Sequence, residues 1–292
     1  MIRRRSWTAA TLLLMAVLLA AGCGDDDNPA GPDGGGLMLT LDGVESLGPG
    51  FVYEGWILVG GNPVSTGTFT VDGSGALSQS SFDVDGGQLA TATKFILTIE
   101  PSPDPDPAPA ATKYLAGDFA GDTAMLSVAD GAALGSDFTA ASGSFILQTP
   151  STAAVAGDYA SGIWWLDPAG PAASLVLPAL PPGWVYEGWV VGPEGPVSTG
   201  RFSQAAGADS DGPGSTAGPF GTPPFPGQDF INPLVSLVGF RAVITIEPEP
   251  DDSPGPFTLK PLVDMNVEDV GPGVLQSMAN AAAAFPTGTA RR

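Results

Sequence analysis

Histidine is absent from the 292 residues, and cysteine occurs once. Without histidine there is no Ser-His-Asp or Cys-His arrangement and no usual zinc-hydrolase ligand set. The commonest general base at neutral pH is missing too. A single cysteine excludes an internal disulfide framework and any cysteine-based zinc site. Charge is sparse: 14% of residues are Asp, Glu, Lys or Arg, with 10 basic against 31 acidic and a formal net charge of −21. Such a surface repels phosphate backbones, so no nucleic-acid partner is expected. No cofactor is expected either, because no Gly-rich phosphate cradle follows a strand and opens a helix. Asp83-Val-Asp85 and Asp209-Ser-Asp211 resemble fragments of calcium loops but lack the downstream bidentate Glu of an EF-hand. Weak calcium binding there, or at Asp104, Asp106, Asp251 and Asp252, stands as the alternative to solvated loop charge; no metal site is assigned.

What the chain does have is 43% apolar residues, 41 Gly and 30 Pro. That supplies material for cores while interrupting helices and punctuating short strands, which favours an all-β, turn-rich protein.

The first 23 residues, MIRRRSWTAATLLLMAVLLAAGC, have three parts: Arg3 to Arg5, an apolar run from Trp7 to Ala21, and small residues leading to Cys23. This is the anatomy of a secretory signal, with an apolar run short for a spanning helix. Ala20, Ala21 and Gly22 before Cys23 resemble the lipobox of bacterial lipoproteins. That resemblance implies cleavage before Cys23, lipidation of its thiol (the palmitate class of modification) and acylation of the new amino group. It departs from the usual pattern in having Ala20 three places before the cysteine, with Leu19 one place earlier. An uncleaved anchor, or a plain signal peptide with an incidental cysteine, is the competing reading. Residues 1–22 are thus read as a signal peptide and 23–36 as lipidated Cys23 and a flexible, disordered tether. Removing the signal leaves seven basic residues against 31 acidic ones, a net charge of −24. Gly24 after the cysteine permits transfer to the outer membrane if the cell is Gram-negative. The expected location is the cell envelope, facing away from the cytoplasm, with the membrane as a partner through the lipid.

Beyond the tether the chain repeats itself. Residues 51–69 read FVYEGWILVGGNPVSTGTF and residues 184–202 read WVYEGWVVGPEGPVSTGRF, with a constant spacing of 133 from Tyr53 and Tyr186 to Phe69 and Phe202. KFILTIEPSPDPDPAP at 94–109 answers RAVITIEPEPDDSPGP at 241–256, now at a spacing of 147. The second copy therefore carries 14 extra residues, and the Gly/Pro-rich stretch 207–229 is where they fit. Within each copy, short Val-, Ile- and aromatic-rich runs bounded by Gly and Pro read as strands. Further strands are expected at Ala124–Val128, Ser144–Thr149, Gly162–Leu166 and Ser174–Leu177, and a modest helix at Val274–Phe285. Many short strands with regular turns argue two tandem Ig-like β-sandwich modules, at 37–136 and 137–292.

The order Y-x-x-W, then P-V-S-x-G-x-F, then hydrophobic-T-hydrophobic-E-P resembles the extracytoplasmic C-terminal domain of anti-sigma-K factors (RskA type). The matching positions are Tyr53, Trp56, Pro63, Val64, Ser65, Gly67, Phe69, Thr98, Glu100 and Pro101. The second copy offers Tyr186, Trp189, Pro196, Val197, Ser198, Gly200, Phe202, Thr245, Glu247 and Pro248. The resemblance implies a compact β-sandwich outside the membrane with a sensory or scaffolding role. It does not imply sigma-factor inhibition. In that family a cytoplasmic segment grips the sigma factor, and here five residues precede the apolar run, so no direct sigma-factor contact is expected.

Four residues are candidate ligand contacts. Glu54 and Glu187 sit mid-strand in VYEGW, where a half-buried carboxylate can serve as an acid. The competing and favoured reading is a glutamate bonded to backbone N–H groups or a Tyr hydroxyl, or one facing solvent. Trp164 and Trp165 suggest a stacking platform; adjacent strand residues point to opposite faces, so one ring is expected to face solvent or the neighbouring module. No catalytic residue is assigned, and the chain is read as a non-catalytic envelope lipoprotein that binds, senses or spaces. Its partner would be an unidentified envelope protein or glycan. Two alternatives stay open: an accessory regulator of an envelope sigma/anti-sigma system, and a carboxylate-based glycan hydrolase, which needs no histidine.

Overall fold

The computed structural model describes residues 34–152, 157–170, 172–210, 225–250 and 253–292. Cys23, the signal peptide and nearly all of the expected tether lie outside the described residues, as do Asp211, Asp251 and Asp252. The chain is all-β and sandwich-like. Its strands through the first repeat are β1 (Gly34–Asp42), β2 (Phe51–Val59), β3 (Asn62–Phe69), β4 (Ser81–Asp85), β5 (Lys94–Pro101), β6 (Lys113–Ala120) and β7 (Thr123–Ser127). A six-residue helix, α1 (Gly86–Thr91), is started by Asp85, whose side chain accepts from the Gln88 N–H. Then come β8 (Ser142–Leu147), β9 (Gly162–Trp164), β10 (Leu166–Asp167), β11 (Ala172–Ala173), β12 (Leu175–Val176), β13 (Trp184–Gly192), β14 (Gly195–Phe202) and β15 (Gly227–Asp229). The remainder are β16 (Arg241–Pro248), β17 (Leu262–Asp264), β18 (Gln276–Ser277), β19 (Ala279–Asn280) and β20 (Thr287–Arg291).

The first sheet has eight strands in the order β3-β2-β5-β6-β7-β20-β1-β4, and its two edge strands touch. The second repeat forms β14-β13-β16-β17-β19 and β12-β8-β9-β15. One residue separates β19, paired with β17, from β18, paired with β8, so the stretch 276–280 ties these two sheets together. Strands β9 and β12 pair with successive parts of β8, and the β10–β11 hairpin loops out between them. All of these pairings are antiparallel, so alternate side chains face the core. On β2 the core takes Tyr53 and Ile57, and on β16 it takes Ala242, Ile244 and Ile246. One cluster of buried apolar residues runs through both repeats. A small second cluster (Trp56, Ile96, Ala116 and Ala133) covers the outer face of β2 and β5.

Three expectations change. Strand β1 begins at Gly34, inside the stretch read as tether, because it pairs with β4 from Gly34 onward. The division at 136/137 separates the repeats in sequence but not the sheets, since β20 lies between β7 and β1 of the first sheet. Val274–Phe285 is not a helix: it holds β18, β19 and one 3-10 turn at Ala282–Ala284. Backbone pairing to β8 and β17 overrides the helical preference of its alanines, as tertiary context commonly does.

Candidate functional site

The VYEGW strand and its hairpin partner are built alike in both repeats. Tyr53 faces Phe69 across β2–β3 and Tyr186 faces Phe202 across β13–β14, with stacked rings 5.5 and 5.6 Å apart. Each tyrosine hydroxyl donates to a backbone carbonyl eight residues upstream: Tyr53 to Glu45 at 2.9 Å, Tyr186 to Pro178 at 2.6 Å. Burial pushes both phenols above the ordinary tyrosine range, so the hydroxyls stay protonated and keep donating. The Ser-Thr-Gly of P-V-S-T-G is a β-bulge. The register slips between Gly55 and Trp56, and again between Gly188 and Trp189. Gly67 and Gly200 hold φ near +116° and +117°, a region closed to most side-chain-bearing residues.

The glutamates of VYEGW stabilise this bulge. Ser65 Oγ donates to Glu54 Oε1 while accepting from the Gly67 N–H at 3.1 Å. Ser198 Oγ donates to Glu187 Oε1 at 2.5 Å and accepts from the Gly200 N–H at 3.2 Å. Arg201 adds an ion pair to Glu187 at 3.3 Å; Thr68 stands in its place in the first repeat. Deeper in the same outer face, Trp56 Nε1 donates to Thr98 Oγ1 at 2.9 Å, and Thr98 Oγ1 donates to Glu100 Oε1 at 2.5 Å. The Ala110 N–H completes Glu100 at 2.9 Å, ordering the proline-rich loop behind β5. In the second repeat Trp189 donates to Thr245 at 2.8 Å, and the Phe257 N–H donates to Glu247 at 2.9 Å. Burial raises the pKa of Glu100 despite the two donors, with the nearby Glu54 and Asp104 charges adding to the rise. A two-carboxylate hydrolase needs its acids across an open cleft. Glu54 is 8% exposed and Glu100 1%, and neither lines the hollows described below.

Trp164 and Trp165 are 2% and 0% exposed, so the expected outward-facing ring is not found. Their side chains do diverge. Trp164 Nε1 donates to buried Asp229 at 2.9 Å, and Trp165 Nε1 points at Met278 Sδ at 3.3 Å. Trp164 is closed over by β15, which pairs with β9 so tightly that a Cβ on Gly227 would lie 2.6 Å from its ring. The Trp165 ring lies against Gly188, where a Cβ would stand 2.7 Å from it. In the first repeat the Phe95 ring covers Gly55 instead, and the residue corresponding to Phe95 is Ala242.

A cleft of about 280 Å³ opens where the repeats meet, lined by Leu47, Phe51, Ile99, Pro248, Pro254 and Phe257, with Glu45 as its ionisable group. Behind it Tyr114, Trp184 and Phe257 form an aromatic trio with centroids 5.5–6.2 Å apart. Lys260 is held in part by the Phe257 carbonyl at 2.6 Å, and burial lowers its pKa against the opposing pull of Glu45 and Glu247. Sequence reasoning missed this cleft because its lining comes from segments some 200 residues apart. Among the calcium-loop candidates, Asp85 caps α1 and Asp104 accepts from the Asp106 N–H at 2.9 Å. Among the described residues no helix is long and apolar enough to cross a membrane, and no group of three or more acidic or cysteine side chains could hold a metal ion.

No curated protein and no solved structure matches this chain. A family model does: that of the C-terminal region of anti-sigma-K factor RskA matches residues 15–113, about a third of the chain. The matched stretch contains the first repeat's ten motif positions, from Tyr53 to Pro101, and the chain is similar to that regulatory domain over those residues.

Proposed function

We propose that this protein is a non-catalytic component of the bacterial cell envelope, exported and held at a membrane by a lipid on Cys23. Its β-sandwich repeats would bind, sense or space outside the cytoplasm. The observation that carries the regulatory, non-catalytic side of this reading is the use of the shared motif. Every polar residue in it (Tyr53, Trp56, Ser65, Thr98, Glu100) and the adjoining Glu54 bonds to its own sheet or to the loops that flank it. The likeness to an anti-sigma-K factor domain is thus a likeness of architecture, and recognition falls to loops and the inter-repeat cleft. The lipid anchor is supported by the sequence around Cys23. Several acyl chains hold a protein on a bilayer where one alone is marginal.

The test is fractionation of a bacterial host expressing the full chain or its Cys23→Ser variant, with metabolic palmitate labelling. The wild type is expected in the membrane fraction and labelled; the variant is expected unlabelled and released from the membrane. A variant that still partitions with membranes would remove Cys23 as the attachment. The family likeness also favours the accessory-regulator reading over the glycan hydrolase, and a purified chain inactive on a panel of envelope glycans is the matching expectation.

A further inference from the structure

The two sheet systems correspond over most of their strands, with β10, β11 and β12 as additions in the second. Where the first runs β7-β20-β1-β4, the second runs β18-β8-β9-β15. In sequence, however, β8 follows β7 and β20 follows β19. The strand that follows β7 thus joins the second sheet system, and the strand that follows β19 joins the first. The crossing strands are alike: β8 opens Ser142-Gly143-Ser144 and β20 opens Thr287-Gly288-Thr289. Gly143 is the register partner of Leu175 and Gly288 that of Leu41. A Cβ on either glycine would lie 2.6 Å from the facing leucine's Cδ2. The two crossing segments also brace one another, since Asn280 Nδ2 donates to the Phe138 and Ala141 carbonyls at 2.8 and 2.7 Å.

Backbone more than side chains holds β20 in place. Residues 287–291 pair along their whole length with β7, and with β1 on the other side. Of the five, Ala290 alone is buried. Over the small residues an open hollow of about 480 Å³ remains, lined by Thr40, Met125, Thr287 and Thr289 among others. Beyond the strand, the Arg292 guanidinium donates to the Leu89 and Ala92 carbonyls at 2.7 Å each and to the Gly121 carbonyl at 3.0 Å. It also lies 4.5 Å over the Phe119 ring. A strand bound through its main chain, with few pockets for side chains, is the pattern of β-strand addition.

We propose that the slot between β1 and β7 is a peptide-acceptor site for an extended Thr-Gly-Thr-Ala-Arg-Arg segment. Residues 287–292 are its resident ligand, supplied by the other repeat. Gly288 is selected because the Leu41 side chain closes over it, Ala290 because the core side of the slot admits a methyl group, and Arg292 by three carbonyls and an aromatic face. When the resident segment is displaced, the partner that fits is a second copy of this chain carrying the same segment. This activity is independent of the lipid anchor.

To test it, a protease site is inserted between Ala283 and Ala284 of the full chain, the folded protein is cleaved, and the pieces are separated in urea. The large piece is then refolded with labelled FPTGTARR peptide (residues 285–292). Recovery of the native circular dichroism with stoichiometric peptide uptake is expected. Peptides carrying Gly288→Val or Arg292→Ala should bind at least tenfold more weakly. Without peptide, the large piece should remain unfolded, since its copies lack the segment that fills the slot. Three results would each overturn the proposal: refolding to the native state with no peptide taken up, equal binding of the valine peptide, or no refolding even with the native peptide in excess.

Discussion

Replacing Trp165 with alanine separates a core residue from a ligand platform. The Trp165 ring is fully buried, presses on Gly188 and points its N–H at Met278. Its removal leaves a cavity that neither Gly188 nor Ala242 can fill. Large-to-small changes of this kind cost about 3–5 kcal/mol. For a unit of this size that corresponds to a fall in Tm of roughly 6–20 °C. Thermal unfolding followed by far-ultraviolet circular dichroism reads the change without relying on the lost fluorophore. The first repeat suggests the rescue: Phe95 covers Gly55 there, so adding Ala242→Phe to Trp165→Ala should restore a substantial part of the loss. A drop smaller than about 1 kcal/mol, or a rescue variant less stable than Trp165→Ala alone, would refute the packing argument and return Trp165 to the list of ligand contacts.

Glu100 is buried with its pKa raised, so its contribution to stability is fully present below the unfolded value of 4.5 and is lost as pH rises through the folded value. Glu100→Gln keeps an acceptor for Thr98 and the Ala110 N–H. The variant should therefore gain stability relative to the wild type between pH 4 and pH 7 in parallel melts; a gap moving the other way would contradict the burial argument. Tyr53→Phe and Tyr186→Phe each orphan a carbonyl, at Glu45 and Pro178, and each should cost about 1–1.5 kcal/mol in urea unfolding. The two sites lie in different sheets, so the double variant should show the sum to within about 0.5 kcal/mol. Strong non-additivity would mean that the two loops are coupled.

Much of the architecture can be read from the residues because it is local. The pattern of Val, Ile and aromatics marks β2, β5, β13 and β16, and Pro101 and Pro248 mark the ends of β5 and β16. The Gly residues that bound these runs mark turns, as at Asp72-Gly-Ser-Gly, where Asp72 accepts from the Ser74 and Ala76 N–H groups at 2.8 and 3.0 Å. The partners of Glu54 and Glu187 are the serine hydroxyls of the facing bulge, where backbone N–H groups, a Tyr hydroxyl or solvent were expected. What could not be read is non-local. The exchange of β8 and β20 depends on which sheet a strand joins, and its only sequence trace is the pair Ser-Gly-Ser and Thr-Gly-Thr. Extended backbone from β9 into Trp165 sends Trp164 and Trp165 to different partners, but nothing in the residues says that the segment around Gly227 covers Trp164. The inter-repeat cleft is hidden for the same reason, since Phe51 and Phe257 meet only after the sheets have formed.

Intact mass spectrometry of the protein extracted from cell membranes probes the proposed location at its source. The expected product begins at Cys23, lacks residues 1–22 and carries the added mass of acyl chains on that residue. A product that begins at Met1, bears no acyl mass and is recovered from the cytosol would contradict the reading.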